Sequence, residues 1–123
     1  MTFVARSTVT LATDASSGST QYSDTLNGLL HAFSYVRDST GTALSTTMGL
    51  TITGEDSGIT FFALSPFNST IDAVFMPRGP VHISTAGTTA AGVDRLPVCN
   101  ERLKLVCSSG GASKSGTFKF FMA

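Results

Sequence analysis

Apolar and polar residues alternate with a period of two along most of this chain. In the first such segment, positions 3 to 12, Phe3, Val9 and Leu11 fall on one face, whereas Arg6 and Thr8 fall on the other. Successive side chains of a β-strand point to opposite faces, so this alternation predicts a half-buried strand. The same pattern predicts four further strands, namely Met48–Thr53, Ile59–Leu64, Glu101–Ser108 and Thr117–Ala123.

The segment Leu26–Arg37 is compatible with two kinds of element. Leu30, Phe33 and Val36 would suit one face of a short helix. The segment also alternates, and its Tyr, Phe and Val residues are typical of strands. We therefore interpret Leu26–Arg37 as a strand.

Polar and glycine-rich segments separate these strands. We interpret four of them as connectors, Thr13–Thr25, Asp38–Thr47, Gly54–Gly58 and Ser109–Gly116. Because the last two are short and join alternating segments, they predict two β-hairpins, one over 48–64 and one over 101–123.

The segment Ser65–Leu96 has the least regular pattern. It contains three prolines, Pro66, Pro77 and Pro80. Proline cannot donate a hydrogen bond to a sheet ladder, so these residues indicate strand ends or edges. We predict two short strands inside the segment, Ala73–Met76 and Val81–Ser84. An irregular excursion of this length is typical of a surface arm or a binding loop.

Together these elements predict an all-β fold. The expected architecture is an antiparallel β-sandwich of about seven or eight strands, jelly-roll-like in arrangement. The length suits a single domain over residues 1–123, with an irregular arm or loop region at about 65–96.

Composition narrows the classes of partner. The chain has 123 residues, eight Lys plus Arg balance eight Asp plus Glu, and charged residues make up only 13%. A neutral chain so poor in cations is not expected to bind nucleic acid. The N-terminal segment lacks the apolar core of a signal peptide, and no apolar run approaches the length of a membrane span. We therefore expect synthesis in a cytosol and no membrane partner.

The residue types needed for catalysis or metal binding do not form motifs. The two histidines, His31 and His82, lie far apart in sequence, and no G-x-S-x-G is present. The carboxylates lie mostly in turns, where they commonly cap backbone donors. If Cys99 and Cys107 lie on one extended strand they are roughly 26 Å apart, so a disulfide would require a turn between them. We expect no enzymatic activity, no cofactor, no metal and two isolated, buried thiols.

Two pairs of adjacent phenylalanines leave two interpretations open. Phe61-Phe62 and Phe120-Phe121 each place one ring on either face of a strand. If one face of the sheet is solvated, a large ring is exposed there, and exposed apolar surface commonly marks a protein contact. The alternative is burial of both rings at a corner of the sandwich.

Several segments resemble small virion proteins of tailed bacteriophages. The similar stretches are Arg6–Ser16 (RSTVTLATDAS), Leu50–Gly54 (LTITG), Met76–His82 (MPRGPVH) and Asn100–Met122 (NERLKLVCSSGGASKSGTFKFFM). Within that group the chain resembles head decoration, or cement, proteins. The resemblance implies a homotrimer that bridges major capsid subunits on the outside of the phage head, after synthesis in the bacterial cytoplasm.

We expect the partner contacts of such a protein to lie in its reaching segments and on its exposed aromatic rings. Arg78 lies between Pro77 and Gly79-Pro80, on a stiffened turn. The predicted contact residues are Phe3, Arg78, Pro80, His82 and Phe121.

Two other virion roles remain open at this stage. A neck or tail component, of the head-completion or tail-terminator type, would be present in far fewer copies. A receptor- or carbohydrate-binding module would need aromatic platforms, for which the chain offers no Trp and only Tyr22 and Tyr35.

Overall fold

The computed structural model describes residues 5–13, 18–38, 44–45, 47–67, 69, 71–82, 90–111 and 113–123. Within these residues the protein is all-β, with nine strands and no helix. The strands are β1 (Ala5–Ala12), β2 (Ser19–Arg37), β3 (Gly49–Gly54), β4 (Thr60–Leu64), β5 (Ala73–Phe75), β6 (Gly79–His82), β7 (Ala90–Asp94), β8 (Leu96–Ser108) and β9 (Ser115–Met122). The predicted all-β, antiparallel fold is confirmed.

Seven of the strands form one antiparallel sheet. Its order is β1-β9-β2-β8-β3-β4, and β5 pairs with β2 beside this path. The remaining two strands, β6 and β7, pair with each other as a separate two-stranded ribbon.

The long strand β2 joins two layers of this sheet. Its first half, from Ser19 to Leu30, pairs with β8, and its second half, from Leu30 to Arg37, pairs with β9. Three register shifts interrupt these ladders, and bulges of this kind bend a strand and allow it to pass between layers. We call β1, β9, β5 and the second half of β2 the first layer. The first half of β2 with β8, β3 and β4 is the second layer.

The inward faces of the two layers share one hydrophobic core. Phe33 of the first layer packs its ring edge-on against Phe62 of the second layer, with centroids 5.0 Å apart. Ser7 of β1 donates a hydrogen bond to Asp24 in the first half of β2. The largest fully buried side chains are Tyr35, Phe33, Phe67, Phe118, Phe120, Leu11, Leu30, Met48, Leu50, Ile52, Leu103 and Leu105. The arrangement is therefore sandwich-like.

The predicted hairpin over residues 101–123 is wrong. Both strands form, but β2 lies between β8 and β9, so they do not pair with each other. The C-terminus is nevertheless tied into the sheet, because Ala123 and Leu29 exchange two backbone hydrogen bonds. The hairpin over 48–64 is confirmed, with β3 and β4 directly paired.

Two predicted irregular segments contain more strand than expected. The predicted connector Thr13–Thr25 ends early, because β2 begins at Ser19. Within Ser65–Leu96 the structure adds β7, and it places β5 and β6 close to the two predicted strands. Both cysteines are free, as predicted, and Cys107 is buried. The predicted burial of Cys99 is wrong, because Cys99 alternates with the buried Val98 and its side chain is exposed.

A bulge in the β3–β4 hairpin explains the positions of Phe61 and Phe62. Ile52 pairs with Phe62 and Thr53 pairs with Thr60, so Phe61 is the extra residue of the bulge. Phe61 is buried, and Phe62 packs against the same core. These two rings therefore follow the burial alternative.

A buried tyrosine connects the loops at one end of the core. The Tyr35 hydroxyl donates to the carbonyl of Ser69 at 2.9 Å, and the Ser69 hydroxyl contacts the carbonyls of Leu44 and Ser45. Burial, together with the nearby negative charge of Asp72, raises the pKa of Tyr35 to about 12. The folded protein therefore holds this hydroxyl in its neutral form.

We expect Tyr35 to make the protein sensitive to alkaline pH. Its pKa in the unfolded chain is about 10, so its contribution to stability is intact below pH 10 and is lost as pH rises towards 12, by up to about 1.4 kcal/mol per pH unit. Urea denaturation at pH 9 to 12 measures this loss. Tyr35→Phe should lose less stability over that range than the wild type, whereas the exposed-site control Tyr22→Phe should lose as much. Equal alkaline losses in all three proteins would contradict this assignment.

Candidate partner-binding surface

The outward side of the first layer is a continuous surface built from four strands. Arg6, Phe121 and Ala32 are direct cross-strand neighbours, and so are Thr8, Lys119, Ser34 and Val74 in the next row. On β1 and β9 the residues that alternate with these are buried in the core, so this side of the two strands faces outward. Ala32 lies in the first row but is itself buried. We call this surface the outer sheet face, comprising Arg6, Thr8, Thr10, Ser34, Val36, Val74, Thr117, Lys119 and Phe121.

Large apolar side chains are exposed at the β5 end of this face. Val74 is 66% exposed and Val36 is 41% exposed. Met76, directly after β5, and Ile71, shortly before it, are more than half exposed. Strand β5 pairs with β2 along three residues and has no second partner among the described strands. A cluster of exposed apolar residues beside an open strand edge is typical of a protein contact.

The two cations of the outer sheet face make no ion pair within the described residues. Arg6 and Lys119 are neighbours on adjacent strands, in successive rows. Arg102 of the second layer, by comparison, pairs with Glu55. Among the described residues, the outer sheet face therefore presents positive charge without an ion-pair partner, next to apolar side chains.

On the second layer the chain neutralises one of its cations, Arg102, whereas Lys104 on the same side of β8 makes no ion pair among the described residues. Arg102 Nε and Nη2 donate to the two carboxylate oxygens of Glu55, at 2.6 and 2.5 Å. The Arg102 guanidinium also lies 4.3 Å from the centre of the Tyr22 ring, a cation–π distance. The hydrogen bonds from Arg102 hold the pKa of Glu55 below its ordinary value. One face of Tyr22 is thus already occupied.

The β6–β7 ribbon leaves the sheet next to the outer sheet face. β8 begins at Leu96, opposite Leu30, and β5 ends at Phe75, opposite Phe33. The two strands therefore lie end to end along one edge of β2, and the ribbon emerges between them. Its ladder runs from Gly79, opposite Asp94, to His82, opposite Ala90. This ribbon lies within the predicted arm region.

Arg78 anchors the base of this ribbon. Its Nη1 donates to the carbonyl of His31 at 2.9 Å and to the carbonyl of Pro77 at 2.7 Å. Pro77 is buried, and a Cβ on the buried Gly79 would collide with the side chain of Leu96. The turn is therefore packed against the sheet, and Arg78 holds it there.

The structure brings two of the predicted contact residues together. Phe121 is half-buried and pairs with Ala32, whose neighbour His31 accepts the hydrogen bond from Arg78. Phe3 lies outside the described residues. Pro80 and His82 belong to β6, but their side chains are also outside the described part.

Other residues of this surface were not predicted from the sequence. Lys119 was available to sequence reasoning, because it shares a strand face with Phe121 by alternation. The exposure of Val74 could not be predicted from the sequence, because it depends on which strands pair with β5.

Metal-ligand clusters do not appear in the part of the chain that the structure describes. No three His, Cys, Asp or Glu residues there could hold a metal ion. An open pocket between β3 and β4 is lined by apolar and hydroxyl side chains, among them Leu64, Ser65 and Ser108. No helix of the described residues is long and apolar enough to cross a membrane.

Comparisons with protein-family models, curated proteins and solved structures find no match for this chain.

Proposed function

We propose that this protein is a non-enzymatic structural component of a phage virion, a decoration or cement protein that binds the outside of the head. The observation that carries the proposal is the outer sheet face, where Val36 and Val74 are exposed on a firmly packed β-body, next to the exposed Met76. A body of this kind can bury apolar surface against another protein without any chemistry. The partner is the major capsid protein, and the resemblance of the sequence to decoration proteins names that class.

The ribbon supports a role in bridging. A two-stranded hairpin is only marginally stable by itself in water. The ribbon β6–β7 forms its own two-stranded sheet beside the main one. A partner surface that covers the ribbon would stabilise it, and an arm beside a binding face can reach a second capsid subunit.

Binding of this kind stabilises the shell by mass action. A ligand that binds the assembled shell but not its separated subunits adds about 2.7 kcal/mol per site when its free concentration is 100 times its Kd. Many such sites acting together would raise the temperature or force needed to open the head. A homotrimer would place several outer sheet faces across one junction between capsomers, and self-association is part of the proposal.

Copy number in purified virions tests the proposed position. We expect hundreds of copies per particle by quantitative mass spectrometry, because a decoration protein occupies repeated sites of the shell. A ring-shaped neck or tail component would instead be present in about three to twelve copies, as closed symmetric oligomers are. A count of about three to twelve would indicate a neck or tail component instead of a decoration protein. Absence from the purified particle would contradict any role as a virion component.

A further inference from the structure

We infer that the outer sheet face binds an apolar protein surface that carries carboxylates, and that Arg6 and Lys119 select it. The inference rests on the proposed function, because it describes the patch of the head protein on which this face sits. It specifies the chemistry of that patch, which the proposed function leaves open.

The charges of the face give the first argument. Arg6 and Lys119 lie on neighbouring strands in successive rows, without an ion pair among the described residues. On the second layer the exposed Arg102 is held by both oxygens of Glu55. A cation that becomes covered by a partner without a counter-ion is costly, so a partner for the outer sheet face must bring carboxylates.

The apolar residues of the face give the second argument. Val74 lies in the same cross-strand row as Lys119, two strands away across Ser34, and Phe121 lies between Arg6 and Ala32. Strands are spaced about 4.8 Å apart, so cations and apolar groups share a footprint of roughly 15 Å. A phosphate backbone would contact the cations but leave Val74 and Val36 in water. A protein surface matches both kinds of group.

The same charges disfavour a two-fold contact between two copies of this face. In such a contact each copy presents the same patch to the other. Arg6 and Lys119 would then approach the same two cations, and like charges across an interface suppress binding. The occupant that fits is therefore a different protein surface, with acidic groups at a spacing that matches Arg6 and Lys119.

Charge reversal tests this inference on the full-length chain. The variants are Lys119→Glu and Arg6→Glu, with Lys104→Glu as a matched control on the second layer. The probe is purified expanded heads of the encoding phage assembled without this chain, and binding is measured by co-sedimentation. We expect Lys119→Glu and Arg6→Glu to bind at least tenfold more weakly at 50 mM salt, with the deficit shrinking at 500 mM, because salt screens exposed charges. Lys104→Glu should bind within twofold of the wild type.

Each result decides the question. If the wild type binds and all three variants bind alike, the inference is overturned and the proposed function stands. If the wild type does not bind, the proposed function fails and the inference fails with it. If Lys119→Glu instead changes the oligomeric state in gel filtration, the face meets another copy, which also overturns the inference. Lys119→Gln serves as a milder variant, and circular dichroism checks that every variant is folded.

Discussion

Phe33→Ala is expected to remove a large part of the stability of this domain. Phe33 is fully buried, and its ring contacts those of Phe62, Phe75, Phe118 and Phe120, with centroid distances from 5.0 to 6.4 Å. These rings come from both layers and from β5, so the truncation opens a cavity where the layers meet. Phenylalanine-to-alanine changes in cores cost about 3–5 kcal/mol, against a total of about 5–15 kcal/mol for a typical domain.

The matched control is Phe121→Ala, on the adjacent strand β9. It makes the same chemical change on the outer sheet face, where the ring is half-buried between Arg6 and Ala32. We expect a loss of about 1 kcal/mol in the free energy of unfolding, because less apolar area returns to water. Urea denaturation of both variants gives the comparison, and Phe33→Leu replaces Phe33→Ala if the latter cannot be purified folded. Equal losses at the two positions would show that the layers do not meet at Phe33.

The same pair of variants separates folding from binding. Phe121→Ala should remain folded but bind heads more weakly than the wild type, since the ring belongs to the proposed contact face. This outcome is not expected of a residue that only fills the core. A Phe121→Ala variant that binds heads as tightly as the wild type would remove the ring from the interface.

Alternation predicted which residues face the core, because side-chain direction is a local property of a strand. In β1 the buried residues are Ser7, Val9 and Leu11, the face expected from the pattern. In β9 the same alternation separates Phe118 and Phe120, which are buried, from Lys119 and Phe121, which are half-buried on the other face. The period of two is therefore enough to assign the faces of these strands.

Strand pairing could not be predicted in the same way. A short glycine-rich link between β8 and β9 favours a hairpin, yet β2 inserts between them and pairs with both. The first half of β2 was itself hidden by its polar sequence. Ser23 is buried there because its hydroxyl accepts a hydrogen bond from the backbone N–H of Leu103 at 2.9 Å and donates one to the carbonyl of Asp24. Such compensation depends on residues far away in the chain.

The residues of the candidate surface could be predicted only where their placement depends on local alternation and not on contacts with distant parts of the chain. Alternation alone placed Phe121 on the opposite face of its strand from Phe120, but exposure of the ring depended on whether another layer covers that face. Arg78 was expected on a projecting turn, but its guanidinium bonds to the carbonyl of His31, which lies 47 residues earlier in the chain. The exposure of Val74 depends on β5 being an edge strand, and only the assembled sheet shows that.

Gly54→Ala is expected to disrupt the turn between β3 and β4. A Cβ at position 54 would overlap Glu101 Oε1 and Ser57 Oγ and would lie 2.8 Å from Glu101 Cδ. Glu101 is buried at 3% exposure, and its Oε1 accepts hydrogen bonds from the backbone N–H and the hydroxyl of Ser57. The carboxylate cannot move aside without losing these bonds. We expect a loss of about 1–3 kcal/mol in the free energy of unfolding, the usual cost of overpacking.

Gly18→Ala is the control for this change. Its added Cβ would meet only the carbonyl oxygen of Cys107, at 3.7 Å, which is ordinary van der Waals contact. Because both variants lose the same backbone freedom in the unfolded chain, the difference between them isolates the collision at position 54. We expect Gly18→Ala to change stability by less than about 0.5 kcal/mol.

A double-mutant cycle identifies the obstacle. Glu101→Ala removes the carboxylate and leaves Ser57, which is exposed, free to bond water. In that background Gly54→Ala should cost at least about 1 kcal/mol less than in the wild type, because residues in direct contact are not additive. Additive losses in urea denaturation would mean that Glu101 does not occupy the space beside Gly54. A smaller cost of Gly54→Ala in the Glu101→Ala background would show why position 54 requires glycine although its φ is not positive. The buried carboxylate of Glu101 fills the space that a side chain at position 54 would need.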